Sequence, residues 1–188
     1  VATHVAAFTP ADPLEGDTSM GAIVDDIQMN SVLRYIESGK NEGAQLIAGG
    51  SRTRIETGGY FIEPTIFVAE PHMTIVREEI FGPVLCVVRV PDFATGLQLI
   101  NAHEYGNGTS IYTADGAAAR EFVDTVQVGM VGVNVPIPVP LAFHSFGGWK
   151  RSLFGDHHVY GSEGVRFYTK VKAVSQRWDA PKSNAFMM

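Results

Sequence analysis

The sequence predicts an α/β fold built on a parallel β-α-β layered sheet, and three observations carry that prediction. Val84-Leu-Cys-Val-Val-Arg-Val90 is a nearly continuous apolar run, the pattern of a strand covered on both faces. Between residues 84 and 134, short strand signals alternate with single helix signals in the order β-α-β-α-β, which demands parallel pairing with right-handed crossovers. The chain has 188 residues, 45% of them hydrophobic, enough for one domain with a real core.

Residues 1–22 hold Pro10, Pro13, Gly16 and Gly21 among small and acidic residues, and read as a surface loop or the trimmed edge of a domain. The chain opens on Val1 without a core pattern, so the expectation is that it begins partway through a longer protein. From Asp25, Met29, Val32, Leu33 and Ile36 follow helical spacing, with acidic residues at the start, Lys40 near the end and Gly43 as a stop. Gln45 to Ala48 is a short strand candidate. Tyr60 to Val68 is an extended run in which Pro64 suggests an edge or a bend.

After Val90, Asp92 can cap a helix whose Phe93, Leu97 and Ile100 share a face. Gly108 to Thr113 is a strand, Asp115 caps a helix with Ala118, Ala119, Phe122, Val123 and Val126 on its apolar side, and Gly129 to Asn134 is the next strand. Residues 168–178 have strand composition with no obvious partner inside the chain, which invites pairing with another subunit. The tail, 179–188, reads as disordered. The main body of the fold is thus expected over 23–167.

A net charge of −6 and an isoelectric point near 5.4 argue against binding nucleic-acid phosphates or an anionic membrane, since both need clustered Lys and Arg. A single cysteine excludes an internal disulfide. With neither a signal-peptide pattern nor an 18-residue apolar run, the expected compartment is reducing: cytoplasmic, or the mitochondrial matrix in a eukaryote. Asn107-Gly108-Thr109 is then an idle glycosylation sequon. The histidines at 4, 72, 103, 144, 157 and 158 lack metal-ligand spacing, so no metal is expected. No phosphate-cradling glycine loop occurs.

Cys86 falls inside the Val84–Val90 run, where desolvation raises a thiol pKa, so it is expected to be a core residue and not a nucleophile. Glu78-Glu79-Ile80-Phe81-Gly82-Pro83 is denser in chemistry than a connector needs. Two readings stand for it: a solvated turn with Phe81 buried as core, or a turn that aims a carboxylate and a ring into a cleft. After Asn134, at the carboxyl end of a strand, alternating prolines stiffen a segment that ends Phe143-His-Ser-Phe-Gly-Gly-Trp149. Its aromatic residues can line a pocket or simply cover the sheet edge. Lys150 and Arg151 behind it can hold an anion or do nothing specific.

Several motifs together resemble the aldehyde dehydrogenase family over about Pro13 to Trp178. They are Gly59-Tyr-Phe-Ile-Glu-Pro-Thr-Ile66, Glu78-Glu-Ile-Phe-Gly-Pro83, Tyr105-Gly-Asn-Gly-Thr109, the Val135-Pro-Ile-Pro-Val-Pro-Leu141 run, Ser145-Phe-Gly-Gly-Trp-Lys150, and Gly164-Val-Arg-Phe-Tyr-Thr169. The later motifs resemble its methylmalonate-semialdehyde dehydrogenase branch. The resemblance implies NAD as cofactor, a small aldehyde as substrate and coenzyme A as a possible co-substrate. It implies that Glu79 hydrogen-bonds the nicotinamide ribose, that Phe81 packs near the nicotinamide, and that the loop bearing Phe143 and Phe146 forms part of the aldehyde pocket. It also implies that residues 168–178 join a neighbouring subunit's sheet in a homo-oligomer, a dimer or tetramer. The family's Gly-Gln-x-Cys nucleophile region, base glutamate, oxyanion asparagine and dinucleotide-binding domain belong N-terminal to the residues present, and none is found in these 188. No residue here is therefore expected to be catalytic, and the chain alone is not expected to run the reaction. The alternative is a non-enzymatic α/β assembly module derived from the same family.

Overall fold

The computed structural model describes residues 1–178, in two compact units, Val1–His103 and the part from Glu104 onward. In the first unit a short helix α1 (Ala2–Val5) and a single bridge between Pro10 and Met20 precede the long helix α2 (Asp26–Asn41). Residues 1–22 are mostly exposed, as expected of a loop, although Ala11 is buried. Asp25 starts α2 by accepting a hydrogen bond from Gln28 N at 2.7 Å, which satisfies one of the first-turn amides. Met29, Val32, Ile36 and Gly39 then bury one face at three- and four-residue spacing.

That face meets a three-stranded sheet. Strand β1 (Gln45–Ala48) runs antiparallel to β4 (Thr65–Val68), and β4 runs parallel to β5 (Val84–Val87). Between β1 and β4, the two-residue strands β2 (Arg52–Thr53) and β3 (Phe61–Ile62) form a separate antiparallel pair. Phe67 and Ile66 of β4, together with Met29, Val32, Ile36, Ile62, Met73, Ile75 and Ile80, make the buried core. Thr65, the buried polar residue there, accepts from Gly50 N at 2.9 Å and donates to the Glu63 carbonyl at 2.8 Å, so its hydroxyl is satisfied.

Two expectations about these strands are corrected. The apolar run ends as a strand at Val87 and lies at an edge of its sheet, with Leu85 47% exposed, whereas β4 occupies the middle. Of the edge or bend expected at Pro64, the edge is wrong and the bend is right: the run breaks there into β3 and β4, which lie in different sheets, and Thr65, after the proline, supplies the first ladder amide, to the Pro83 carbonyl at 2.8 Å. A one-turn helix α3 (Thr74–Arg77) connects the parallel pair β4 and β5, and α4 (Phe93–Ala102) follows, capped by Asp92 as expected.

The second unit repeats the parallel pattern. Strands β7 (Gly108–Ile111) and β8 (Met130–Val133) pair in parallel, joined by α5 (Gly116–Thr125), with Asp115 accepting from Ala117 N and Ala118 N. Phe122, Val126 and Val128 bury the inner side of this unit. Asn134 extends the ladder with its side chain: its carboxamide donates to the Thr113 carbonyl at 3.0 Å and accepts from Thr113 N at 2.9 Å. The short strands β6 (Tyr105–Gly106) and β9 (Trp149–Lys150) pair antiparallel, and α6 (Gly161–Tyr168) follows.

The expected strand over 168–178 takes a different form in the single chain. Tyr168 closes α6, and residues 169–178 join no ladder among the described residues; Val171 is 100% exposed. A strand of this kind needs backbone partners, which one copy does not supply. The tail at 179–188 lies outside the described residues. Among the described residues no helix is long and apolar enough to cross a membrane.

Candidate functional site

In the first unit the chemistry-rich turn leaves α3 at Glu78 and enters β5 after Pro83. Helix α2 holds it from one side. Gln28 Nε2 donates to the carbonyls of both Ile80 (3.1 Å) and Phe81 (3.0 Å), and Tyr35 donates its hydroxyl to Glu78 Oε2 at 2.8 Å. That bond, with some burial, raises the Tyr35 pKa above its usual value. Gly82 lies flat on Val32: a Cβ at 82 would stand 2.5 Å from Val32 Cγ2, so a side chain there does not fit.

The consequence is an inverted arrangement of side chains. Ile80 turns inward and is buried, while Phe81 adopts a left-handed φ of +52° and presents its ring outward at 79% exposure. A left-handed phenylalanine is costly, on the order of 1–2 kcal/mol, and persists only where its surroundings fix it. Of the two readings open for this turn, the one that buries Phe81 as core is thereby corrected. Glu79 is exposed, and its carboxylate makes no hydrogen bond or ion pair among the described residues. Glu78, its neighbour, is the one already committed to Tyr35.

The start of α3 is tied down as well. Glu42, at the end of α2, accepts from Thr74 N at 2.7 Å and from Ser38 Oγ at 2.8 Å, and the Thr74 hydrogen bonding in particular holds its carboxyl below the usual range. A lowered folded-state pKa means this tie stabilises the fold above the unfolded value of about 4.3 and is lost as pH falls through the lowered one. The expected result is that wild type and Glu42→Ala differ in thermal stability at pH 7 and converge as pH is taken down towards 3. Melting curves at a series of pH values check it, and a difference that stays constant counts against the tie.

Cys86 lies on β5, half-buried and not deep in the core, with its Sγ–H donating to the Ile75 carbonyl at 3.2 Å. Burial pushes the thiol pKa up, which suits an inert residue.

In the second unit, the segment after Asn134 borders an apolar cavity of about 510 Å³. Phe146 lines it, stacked on Tyr160 with ring centroids 4.4 Å apart, and Met130, Val139, Phe154 and His158 complete the wall. Phe143 does not join them: its ring lies against His144 and is 69% exposed. Of the two expected pocket aromatics, the structure therefore brings only Phe146 to the cavity. Tyr160, Phe154 and His158 were not foreseen, because they come from an irregular stretch with no periodicity to flag them.

Two charged clusters flank this segment. Arg151 is paired with Glu104 and lies over the Tyr105 ring, so its charge is already committed and is not free for an anion. Glu163 bridges His157 Nδ1 at 2.7 Å and Arg166 Nη1 at 2.6 Å.

Parallel strand pairs joined by helices define an α/β protein, and the class to which the chain belongs is the aldehyde dehydrogenase family, which residues 1–174 match. Within that family, it is 57% identical over 162 residues to a malonate-semialdehyde dehydrogenase of Pseudomonas aeruginosa, covering 85% of this chain and 33% of that protein. Its fold is similar to the crystal structure of a methylmalonate-semialdehyde dehydrogenase from Oceanimonas doudoroffii (TM-score 0.88, 45% identity, 95% of this chain and 37% of that one). It is similar also to a Sinorhizobium meliloti protein assigned as a methylmalonate-semialdehyde dehydrogenase and solved in complex with NAD (TM-score 0.89, 42% identity, again 95% and 37%). The chain thus spans about a third of the length of the relatives it matches.

Proposed function

We propose that this chain is the C-terminal catalytic-domain portion of an NAD-dependent semialdehyde dehydrogenase, acting on malonate or methylmalonate semialdehyde and passing the acyl group to coenzyme A. The observation that carries the proposal is the pair at the turn: Glu79 exposed with an uncommitted carboxylate, and Phe81 beside it with its ring held outward on a left-handed backbone. An ionised carboxylate accepts hydrogen bonds from both hydroxyls of a ribose diol, and an exposed ring offers a flat apolar wall to a nicotinamide. These residues fit the cofactor. When bound, NAD accepts a hydride from the substrate carbon.

The remaining roles of the chain follow from its own side chains. Phe146 and Tyr160 keep the aldehyde end apolar, and Phe143, exposed on the same loop, is left for a contact with substrate or a neighbouring part of the enzyme. The thiol of Cys86 is engaged and its pKa is raised, which favours a nucleophile supplied from elsewhere in the enzyme. Residues 169–178, exposed and unladdered, pair with a second copy in a homo-oligomer.

The test is replacement of the corresponding third of the Pseudomonas aeruginosa malonate-semialdehyde dehydrogenase by this chain. The expected result is NADH formation from malonate semialdehyde and coenzyme A. In that hybrid, Glu79→Gln exchanges a charge-assisted for a neutral hydrogen bond, a loss of about 1–1.5 kcal/mol, so the KM for NAD rises by roughly five- to tenfold. An unchanged dependence on NAD would remove Glu79 from the cofactor site.

The isolated 188 residues should form no NADH under the same conditions. One ribose contact supplies roughly 1–3 kcal/mol, whereas micromolar affinity needs about 8. Turnover by the isolated chain that Cys86→Ser abolishes would show that thiol to be the nucleophile after all.

A further inference from the structure

The turn that carries Glu79 and Phe81 has little structure of its own. It lies between one helical turn, α3, and an edge strand, β5. The side chains of α2 and its C-terminal cap that bond to it or to α3 are Gln28, Tyr35 and Glu42, and these stand seven residues apart. Seven residues is close to two helical turns, so the three fall along one stripe at intervals of about 10.5 Å. The apolar contacts interleave with them: Val32 stands against Gly82, and Gly39 against Ile75.

We infer that α2 is a ruler for the turn, with Tyr35 and Glu42 as positioning residues that fix where Glu79 and Phe81 stand; the cofactor part of this inference rests on the function proposed above. The Tyr35 hydroxyl makes no bond within α2, and Glu42, the residue that caps its C-terminus, divides its carboxylate between Ser38 Oγ of the helix and the Thr74 amide of α3. The bonds to Glu78 and to Thr74 are exposed, where water competes and the net gain in stability is small. What they supply is location. Tyr35 holds Glu78 on the α2 side, which leaves the adjacent Glu79 to face outward, because successive residues of extended backbone point to opposite sides and Glu78 is extended (φ −111°, ψ 147°). Glu42 fixes the first amide of α3, so the turn cannot slide along α2 without breaking that bond.

The test has two readouts. In the 188-residue chain, amide hydrogen exchange over residues 74–78 should quicken about tenfold in Tyr35→Phe and in Glu42→Ala, while β1 and β4 keep their protection. Glu42→Gln, whose side-chain oxygen still accepts from Thr74 N, should restore the slow exchange. In the hybrid enzyme, Tyr35→Phe and Glu42→Ala should each raise the KM for NAD about threefold or more, with kcat and the aldehyde KM unchanged, a split that general loss of folded enzyme does not give. Unaltered exchange in both variants overturns the inference. So does a rise in the NAD KM for Glu79→Gln that neither positioning variant shares. If Glu79→Gln itself leaves that KM unmoved, the cofactor reading falls, and the exchange data alone decide whether α2 positions the turn.

Discussion

Phe67→Ala is expected to unfold the first unit under conditions where the wild type is stable. Phe67 has no exposed surface, sits in the middle strand of the β1-β4-β5 sheet and packs into the core with Ile75 and the inner face of α2. Removing a fully buried phenyl ring costs about 3–5 kcal/mol, from lost transfer energy and from the cavity left behind. For a unit of this size each kcal/mol lowers Tm by roughly 4–8 °C, so the melt should fall by at least about 12 °C. Phe67→Leu, which keeps most of the volume, should lose much less. Circular dichroism melts of the three proteins check this, and a fall under about 5 °C for alanine would mean that the core does not centre on β4.

Gly129→Ala is expected to do comparable damage to the second unit, although it adds a single methyl. The new Cβ would overlap the carbonyl oxygen of Gly147 and crowd the carbonyl carbon of Gly148, both of them backbone. Side chains can rotate away from such a clash; here one of two backbones must move. Gly129 is held by its own amide, which donates to the Gly106 carbonyl at 2.9 Å, so the displacement falls on the Phe146–Trp149 segment. The cost belongs at the top of the overpacking range, about 3 kcal/mol, and the cavity wall at Phe146 should loosen with it. Faster tryptic cleavage at Lys150 and Arg151 reads that out. Gly116→Ala is the contrast: its methyl meets only the Arg120 guanidinium at 3.4 Å, in the first turn of α5, so it should be neutral or stabilising by up to about 1 kcal/mol. Equal behaviour of the two variants would contradict the packing described.

The helices were legible where a cap and a periodic face coincided. Asp25, Asp92 and Asp115 each precede an apolar stripe, and each accepts first-turn amide hydrogen bonds as that pattern implies. The strands Gly108–Ile111 and Met130–Val133 and their parallel pairing were legible for the same reason, since a single capped helix joins them. What stayed hidden has no local signal. Helix α3 is four residues long, too short for periodicity, and α6 carries two glycines that weaken its helical character, Gly161 with a left-handed φ of +61°. The apolar run at Val84 has the pattern of a doubly covered strand, but hydrophobicity reports how much a strand wants burial and not which neighbour stands beside it. At the site, Glu79 and Phe81 were reached through resemblance, whereas the outward aim of Phe81 depends on Gln28, 53 residues away. No spacing rule in the sequence links those two positions.

The left-handed backbone at Phe81 also sets a conflict that selection on this protein must resolve. Glycine adopts that conformation without cost, so replacing the phenylalanine would relax the turn by about 1 kcal/mol while deleting the ring. A laboratory evolution campaign scored on heat resistance alone should therefore drift towards glycine at 81 and lose the outward ring without any sign of unfolding. One scored on NAD use in the hybrid enzyme should, under the role proposed for Phe81, keep an aromatic residue and accumulate its stabilising changes elsewhere. Position 81 is thus where robustness and fitness part company, and the identity of its residue reports which of the two a lineage has been asked to keep.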